Sequence, residues 1–239
     1  MSEIEKLKEV IKKATNIVFF TGAGISVPSG IPDFRSANGI YNQKLNETFS
    51  PEEVISHSFF MQYPEYFYDF YFKKMVYKNA KPNLAHQYIA KLAKTKNVKV
   101  ITQNIDGLHF VDDFKNVYEI HGSIQRNYCM KCHKFYALKD LDTNKVPYCE
   151  CGGLIKPDVV LYEEGLDMDL LTASVRAIEA AEVLIVIGTS LIVQPAASLI
   201  RYYFGKNLVL INKSKTPYDR VANIVINDDI INVIKELEK

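Results

Sequence analysis

Short runs of apolar residues recur along the chain, and each run ends in a polar or glycine-rich turn. Four runs follow this plan, at 17–20, 98–101, 183–187 and 208–211, and a fifth lies at 117–120. Uninterrupted apolar strands are typical of a parallel sheet that is covered on both faces. The pattern therefore predicts a parallel β-sheet with polar turns at the carboxyl ends of its strands.

Helical patterns separate these runs. The chain opens with Ser2 and Glu5 at capping-box spacing before an amphipathic segment, and further helices are predicted at 83–94, 167–181, 195–203 and 229–238. Alternating strands and helices predict a doubly wound, Rossmann-like α/β fold. Ligands of such folds sit beyond the carboxyl ends of the strands, so we expect the functional site at the polar turns.

All four cysteines lie close together, as a Cys129-x-x-Cys132 pair followed by a Cys149-x-Cys151 pair. Two adjacent disulfides are improbable in a reducing cytosol, whereas four thiolates close a tetrahedral zinc site. A closed site has no open position for water, so the prediction is one structural zinc in a small zinc ribbon. Cysteine redox chemistry is the alternative, and His133 offers a spare nitrogen nearby.

Two stretches break the alternation and suggest a division of the chain. Residues 49–77 are rich in aromatic side chains and begin at a second capping box, Ser50 with Glu53, which predicts a helical insert over the site. We therefore predict a Rossmann-like domain of residues 1–36, 82–122 and 154–239. A helical insert at 37–81 and a zinc-binding module at 123–153 would form a small domain.

Composition narrows the class of protein. The 239 residues, 48% of them hydrophobic, suit one large domain with a small insertion. Because the chain has nearly equal numbers of basic and acidic residues, 29 and 28, we expect no direct nucleic-acid partner. No apolar run approaches the roughly 20 residues of a membrane span, and the first residues lack a signal-peptide pattern. A cytoplasmic protein without a membrane partner is expected.

The turn after the first apolar run has two of the three glycines of a dinucleotide-binding fingerprint. Gly22 and Gly24 occupy the first two positions, and Val27 stands at the third. Glycines let backbone N–H groups approach a pyrophosphate closely. A tight turn without a ligand would look similar, so both interpretations stay open here. The following loop, which carries Asp33, Phe34 and Arg35, stands where a helix is usual. This departure suggests that the loop contacts a cofactor.

His121 follows the fifth apolar run, at the edge where the polar turns gather. An ordinary imidazole pKa near 6.5 suits a general base at neutral pH, although a structural histidine is the alternative. Gln103, Asn104 and Asp106 crowd the end of the second run, where a turn bonded to its own backbone is the simpler interpretation.

Five motifs together resemble the sirtuin family in content, order and spacing along nearly the whole chain. They are Gly22-Ala23-Gly24-Ile25-Ser26 with Pro32-Asp33-Phe34-Arg35, Thr102-Gln103-Asn104-Ile105-Asp106-Gly107-Leu108-His109, His121-Gly122, the paired cysteines, and Gly188-Thr189-Ser190-Leu191. The resemblance implies an NAD-dependent deacetylase that acts on acetyl-lysine in proteins or peptides.

The family mechanism, as the resemblance implies it, consumes NAD and moves no hydride. The acyl oxygen attacks the ribose carbon that bears nicotinamide and expels nicotinamide. His121 then removes a proton from a ribose hydroxyl, which attacks the acyl carbon, and water completes the release of free lysine and acylated ADP-ribose. A protein ADP-ribosyltransferase, a deacylase of longer or acidic acyl chains, a Rossmann dehydrogenase and a non-catalytic NAD sensor are the alternatives.

The resemblance also implies roles for individual residues. Expected catalytic residues are His121, Asn104 and Asp106. Expected NAD contacts are Gly22, Ala23, Gly24, Ile25, Asp33, Phe34, Arg35, Gln103, Asn104, Ile105, Asp106, Gly188, Thr189, Ser190, Asn212 and Asp229, although a helix cap explains Asp229 equally well. Expected peptide and acyl contacts are Val159, Val160, Tyr162, Glu164, Val193, Tyr71 and Lys74, and the expected zinc ligands are Cys129, Cys132, Cys149 and Cys151.

Two positions depart from the family patterns. Sirtuins that prefer acidic acyl chains share a Tyr-x-x-Arg pair, whereas the nearest match here, Tyr71 with Lys74, has lysine in place of arginine. We therefore expect a preference for acetyl-lysine over succinyl-lysine, although core packing is the simpler interpretation of the surrounding aromatics. The peptide-pairing segment is usually Phe-Gly-Glu, whereas this chain has Tyr162-Glu163-Glu164, which leaves its peptide preference open.

Overall fold

The main body of the protein is a six-stranded parallel sheet. A computed structural model describes residues 1–33, 39–40 and 49–239. The described strands are β1 (Asn16–Thr21), β2 (Asn97–Thr102), β3 (Val117–Glu119), β4 (Gly122–Cys129), β5 (Phe135–Ala137), β6 (Ile155–Val159), β7 (Val183–Ile187), β8 (Leu208–Ile211) and β9 (Ile224–Ile226). The main sheet has the order β3-β2-β1-β7-β8-β9, which is that of doubly wound dinucleotide-binding sheets. The predicted fold class is confirmed.

Helices cover both faces of this sheet. The described α-helices are α1 (Glu3–Lys13), α2 (Pro51–Val54), α3 (His57–Gln62), α4 (Pro64–Lys74), α5 (Leu84–Ala93), α6 (Met168–Glu179) and α7 (Ile230–Leu237). Helices α1, α5 and α7 pack on the face that receives Ile17 and Phe19 of β1, and α6 packs on the face that receives Val18 and Phe20. Burial on both faces explains why the strands are apolar throughout. Among these helices, none has the length and apolar character that crossing a membrane requires.

A three-stranded antiparallel sheet with the order β5-β4-β6 accompanies the main sheet. Strand β4 begins directly after His121, and β6 pairs with it from Gly122 opposite Val159 to Cys129 opposite Ile155. Helices α2, α3 and α4 pack against this sheet, because their buried apolar side chains, most of them aromatic, share one cluster with residues of β4 and β6. The aromatic insert and the strands beside the cysteines therefore have a common core.

Three details differ from the sequence-based expectations. The main sheet gains a sixth strand, β9, and the segment predicted as a helix at 195–203 is a 3-10 helix, Ala196–Tyr202, which Pro195 precedes. The aromatic insert consists of three short helices. Ser56 caps the second of them, and Pro64 starts the third, because a proline has no N–H with which to continue the preceding helix.

The turns after β1 and β7 are pressed together where the strand order reverses. Gly22 N donates to Ile187 O at 3.0 Å, and Gly24 N donates to Gly188 O at 2.8 Å. Gly188 has a φ of +62°, and a Cβ placed on it would lie 2.4 Å from Ile25 N. Both the left-handed backbone and the close approach therefore require glycine at position 188.

Replacing Gly188 with alanine is expected to destabilise the protein by about 3 kcal/mol, from left-handed strain and overpacking together. Urea unfolding followed by circular dichroism measures the change. Gly165→Ala is the matched control, because a Cβ at Gly165 meets nothing within 4 Å. Equal unfolding free energies for the two variants would contradict the packing argument.

Candidate active site

Side-chain hydrogen bonds join the ends of β2, β7 and β8, of which β2 and β7 flank the central strand β1. Gln103, after β2, donates through Nε2 to Thr189 Oγ1 at 3.0 Å. Thr189, after β7, donates its backbone N–H to Asn212 Oδ1 at 3.0 Å, and Asn212 Nδ2 donates back to Thr189 O at 3.2 Å. Three residues that the sequence predicts for one site are therefore in contact.

A buried relay of hydrogen bonds connects the turns after β1 and β2. Asn104 Nδ2 donates to Ser26 Oγ at 3.0 Å, and the Ser26 hydroxyl donates to Asp106 Oδ2 at 2.7 Å. Burial raises the pKa of Asp106, while hydrogen bonds from Leu108 N–H and Ser26 favour its charged form. Sequence reasoning did not assign Ser26 a role, because a serine in a glycine turn carries no signal of its partners.

The remaining residues of the first turn form tight local structure. Ala23 and Ile25 belong to a 3-10 helix, Ala23–Ile25, that starts after Gly22, and the backbone carbonyl of Asp33 accepts a hydrogen bond from Ile40 N at 2.8 Å. Ile105 O, beyond β2, accepts from Ile124 N at 2.9 Å. Two other predicted NAD contacts, Phe34 and Arg35, lie outside the described residues.

The ring of His121 is fixed by a backbone carbonyl. Its Nδ1 lies 3.0 Å from Gln103 O, and because a carbonyl only accepts, Nδ1 carries the proton. The neutral tautomer therefore has its basic lone pair on Nε2. Burial lowers the pKa of His121 below the ordinary 6.5, although the Gln103 carbonyl opposes this change. The ring is thus neutral at physiological pH and competent to accept a proton.

The backbone of His121 is held against β6. Val160 N donates to His121 O at 3.0 Å. The next residue, Gly122, has a φ of +77°, and a Cβ there would lie only 1.9 Å from Asp158 O. Glycine is therefore required beside the histidine for the two strands to meet. This pairing brings His121 next to Val159 and Val160, two of the predicted substrate contacts.

An arginine that the sequence analysis missed bridges the same region. Arg126 Nη1 lies 2.6 Å from Glu119 Oε2, and Arg126 Nε lies 2.6 Å from Asp158 Oδ2. Glu119 ends β3 in the main sheet, whereas Arg126 and Asp158 belong to β4 and β6. One guanidinium therefore ties both sheets together on either side of His121. Sequence spacing alone gives no signal of this contact.

The predicted peptide segment lies at a sheet edge. Strand β6 is the last strand of its sheet, and Tyr162 beyond it is 40% exposed. Both carboxylate oxygens of Glu164 are engaged within the protein, Oε1 with His57 Nδ1 at 2.8 Å and Oε2 with Lys156 Nζ at 3.0 Å. Val193 is half-buried before the 3-10 helix that starts at Ala196, and its carbonyl accepts from Ala197 N.

The candidate acyl-pocket pair sits in the aromatic core. Tyr71 is 1% exposed and stacks on Phe67 with ring centroids 5.5 Å apart. Its buried hydroxyl has no hydrogen-bond partner among the described residues, and burial raises its pKa. Lys74 is half-buried in the last turn of α4. Core packing therefore accounts for most of the Tyr71 surface.

The two outermost predicted NAD contacts have different surroundings. Ser190 is exposed after β7. Asp229 caps α7, because its Oδ1 accepts from Ile231 N at 2.8 Å, and its Oδ2 pairs with Lys213 Nζ at 2.8 Å. The Lys213 ammonium lowers the pKa of Asp229. The helix-cap interpretation of Asp229 is therefore realised in the structure.

The four cysteines form one cluster of thiols. Their sulfur atoms all lie within 4.8 Å of one another, with Cys129 and Cys151 at 3.4 Å and Cys132 and Cys149 at 3.5 Å. Four sulfurs bound tetrahedrally to zinc at about 2.3 Å would be about 3.8 Å apart. The four cysteines carry no disulfide. The donor set and its spacing fit a closed zinc site, and among the described residues His133 is not part of the cluster.

Comparisons with known proteins agree with this geometry. The model of the Sir2 family matches residues 22–195, which include the glycine turn, His121 and the cysteines. An NAD-dependent protein deacetylase of Clostridium perfringens is 58% identical over 236 residues, which cover 97% of each chain. One of Staphylococcus aureus is 45% identical over 238 residues, covering 99% of this chain and 98% of the relative.

A solved structure matches over the same length. It is described as Sir2 with a deacetylated p53 peptide and 3'-O-acetyl-ADP-ribose, and it superposes with a TM-score of 0.89 at 36% identity. The match covers 99% of this chain and 97% of that one. The resemblance drawn from the motifs is thereby confirmed, and the chain belongs to the Sir2, or sirtuin, family.

Proposed function

We propose that this protein is an NAD-dependent protein-lysine deacetylase. It cleaves NAD to nicotinamide and transfers the acetyl group of acetyl-lysine to ADP-ribose. The observation that carries the proposal is the placement of His121, whose ring is fixed by Gln103 O and whose backbone binds Val160 of the edge strand. One basic nitrogen thus lies between the nucleotide turns and the candidate peptide edge. The names of the relatives from Clostridium perfringens and Staphylococcus aureus support the same activity.

NAD would bind where the strand order reverses. Doubly wound sheets bind dinucleotides at that point, and the backbone turns at Gly22 and Gly188 meet there. The residues proposed to hold NAD are Gly22, Ala23, Gly24, Ile25, Asp33, Phe34, Arg35, Gln103, Asn104, Ile105, Asp106, Gly188, Thr189, Ser190, Asn212 and Asp229. Bound NAD supplies the ribose carbon from which nicotinamide departs and the hydroxyl groups that accept the acetyl group.

The protein's own residues orient the two substrates and remove a proton from a substrate hydroxyl. His121 Nε2 is placed to take a proton from a substrate hydroxyl, while Gln103 O keeps the proton of the ring on Nδ1. Asn104 and Asp106, fixed through Ser26, present amide and carboxylate groups that suit hydrogen bonds to a sugar and to nicotinamide. Positioning the two substrates in line is the main contribution of such a site.

The substrate peptide would add a strand along the segment of residues 159–164, which continues β6. Backbone pairing gives affinity in this mode of recognition, and neighbouring side chains give preference. Val159, Val160, Tyr162 and Glu164 form one side of the proposed groove, and Val193 forms the other. Because both Glu164 oxygens have partners, we assign Glu164 a backbone contact with the peptide.

One zinc ion per chain would hold the small sheet together. Cys129, Cys132, Cys149 and Cys151 supply four sulfur ligands, which leaves no open position for catalysis. Unpaired cysteines at this spacing also suit a reducing compartment, which supports a cytoplasmic location.

The proposed division of the chain has three parts. They are a Rossmann-like domain at 1–36, 82–122 and 154–239, an insert at 37–81 and a zinc module at 123–153. Strand β6, which lies within 154–239, pairs with β4 of the small sheet.

Deacetylation is tested by mass spectrometry of an acetyl-lysine peptide incubated with the protein, with and without NAD. We expect loss of the acetyl group only with NAD, and a fall of about 10²- to 10⁴-fold in rate for His121→Ala with NAD binding retained. His133→Ala is the matched control, because His133 lies in an exposed turn. ADP-ribose attached to the peptide, without free lysine, would instead indicate a transferase.

The pH profile of kcat/KM gives a second test. Since the base must be neutral and the pKa of His121 is lowered, the midpoint of the acid limb of this profile should lie below pH 6.5.

Elemental analysis of the purified protein is expected to find one zinc per chain. Cys129→Ala should abolish zinc binding and lower the melting temperature by roughly 10 °C, because the buried sulfur anchors the end of β4. His133→Ala should retain both zinc and stability. Freshly purified protein that contains no zinc, without exposure to chelator, would refute the assignment.

Acetyl-lysine is expected to be preferred to succinyl-lysine by at least about tenfold in kcat/KM. Lysine is a point charge that lacks the planar fork with which arginine grips a carboxylate, and Tyr71 is committed to core packing. Acetyl and succinyl versions of one peptide provide the comparison, and Lys74→Met should reduce only the succinyl activity. A clear succinyl preference in the unaltered protein would overturn this assignment.

A further inference from the structure

The loop after β6 is fastened to the start of helix α3. Tyr162 N donates to Ile55 O, and His57 N donates to Tyr162 O, both at 3.0 Å. These bonds form an isolated parallel bridge between Ser56 and Tyr162. Because the loop continues β6, whatever holds Tyr162 also limits the motion of the proposed peptide-pairing segment.

Glu163 adds a side-chain contact to this bridge. Its Oε2 accepts from Ser58 N at 2.8 Å, and its Oε1 accepts from the Ser58 hydroxyl at 2.9 Å. Backbone N–H groups in the first turn of a helix have no partner within the helix. The Glu163 carboxylate satisfies one of them, and the Ser56 hydroxyl satisfies another by accepting from Phe59 N.

The backbone of Glu163 has a conformation that is costly for this residue type. Its φ is +75°, in the left-handed region that is unfavourable for a residue with a Cβ. The sirtuin pattern has glycine at this position, which adopts such a backbone freely. Here a glutamate adopts it, and both oxygens of its carboxylate are hydrogen-bonded to Ser58. A residue tied in this way moves less than a glycine would.

The neighbouring carboxylate, that of Glu164, binds both the turn of its own loop and the first residue of helix α3. Glu164 Oε2 accepts from Leu161 N at 2.9 Å and from Lys156 Nζ at 3.0 Å, so it closes the turn on the side of β6. Its other oxygen reaches His57 at 2.8 Å. Within the described part of the chain, the Glu163 carboxylate binds Ser58 alone, so altering it leaves the turn around Leu161 intact.

We propose that the Glu163 carboxylate is a positioning latch for the substrate peptide, joining the loop after β6 to helix α3 so that the strand edge is ready for pairing. This inference rests on the proposed function, because it concerns the same edge. A preformed edge loses less conformational freedom when a strand is added, so the peptide binds more tightly. NAD binding is expected to be unaffected, because its proposed site lies at the strand ends of the other sheet.

Three variants separate the effect of the Glu163 side-chain contact from the effect of its left-handed backbone. Glu163→Asn tolerates a left-handed backbone but is one methylene too short to reach Ser58. Glu163→Gly also loses the contact, and Glu163→Gln keeps the length and one acceptor oxygen. Glu52→Asn, at an exposed glutamate of α2 outside the latch, is the matched control.

Steady-state kinetics give the first readout. For Glu163→Asn and Glu163→Gly we expect the KM of an acetyl-lysine peptide to rise about fivefold, the size of effect expected from losing a modest exposed contact. The kcat and the KM for NAD should stay within about 1.5-fold, which a general loss of structure would not allow. Glu163→Gln should recover most of the peptide affinity.

Hydrogen exchange of the unliganded protein gives a readout that needs no activity. The amides of His57 and Tyr162 should exchange at least about fivefold faster in Glu163→Asn than in the parent or in Glu52→Asn. Unchanged exchange overturns the latch whatever the activity, and so does faster exchange with an unchanged peptide KM. An inactive parent whose Glu163→Asn variant exchanges faster shows instead that the proposed function has failed.

Discussion

The close passage of two backbone turns at the centre of the main sheet is the constraint on which the site depends. The turns after β1 and β7 touch without side chains between them, since Gly24 N binds Gly188 O and Gly188 lies against Ile25. This contact fixes Thr189 within reach of Gln103, and Gln103 in turn supplies the carbonyl that orients His121. A bulkier residue at the reversal point would therefore displace the His121 ring as well as the turn at Gly22.

The position of His121 also depends on β4, the strand that connects the proposed catalytic and zinc sites. The strand starts at Gly122, beside His121, and ends at Cys129, whose sulfur is fully buried in the thiol cluster. Because β6 pairs with both ends of β4, and β5 pairs with Arg126 to Tyr128, a displacement at one end of β4 is resisted by its neighbouring strands. A structural metal at Cys129 would thus stabilise the strand from which the histidine is presented, without touching the reacting atoms.

The sequence predicts those parts of the fold that depend on local pattern. Capping residues such as Ser2 and Ser50, uninterrupted apolar strands and paired cysteines each carry their own signal. Strand β9, Ile224–Ile226, was missed because it is shorter than the runs of four or five residues on which the predicted strands were based. Ser26 and Arg126 were missed for a different reason. Their partners lie 80 and 32 residues away, and only the pairing of strands brings them together.

The five histidines differ in their surroundings, and these differences distinguish His121, the proposed base, from the other four. His86 and His109 are buried with ring centroids 4.8 Å apart, and burial lowers the pKa of both, that of His86 to about 4. His109 also hydrogen-bonds with Thr21, so its ring belongs to the packing at the end of β1. His57 is paired with Glu164.

His133 lies in an exposed turn with a φ of +58°, away from the strand ends. His121 alone among the five has its Nδ1 proton fixed by a main-chain carbonyl at the carboxyl edge of the main sheet. This arrangement sets the tautomer before any substrate binds, so no reorganisation of the ring is needed when a proton is transferred. The geometry of the strand ends, more than the presence of an imidazole, therefore makes this histidine suitable for catalysis.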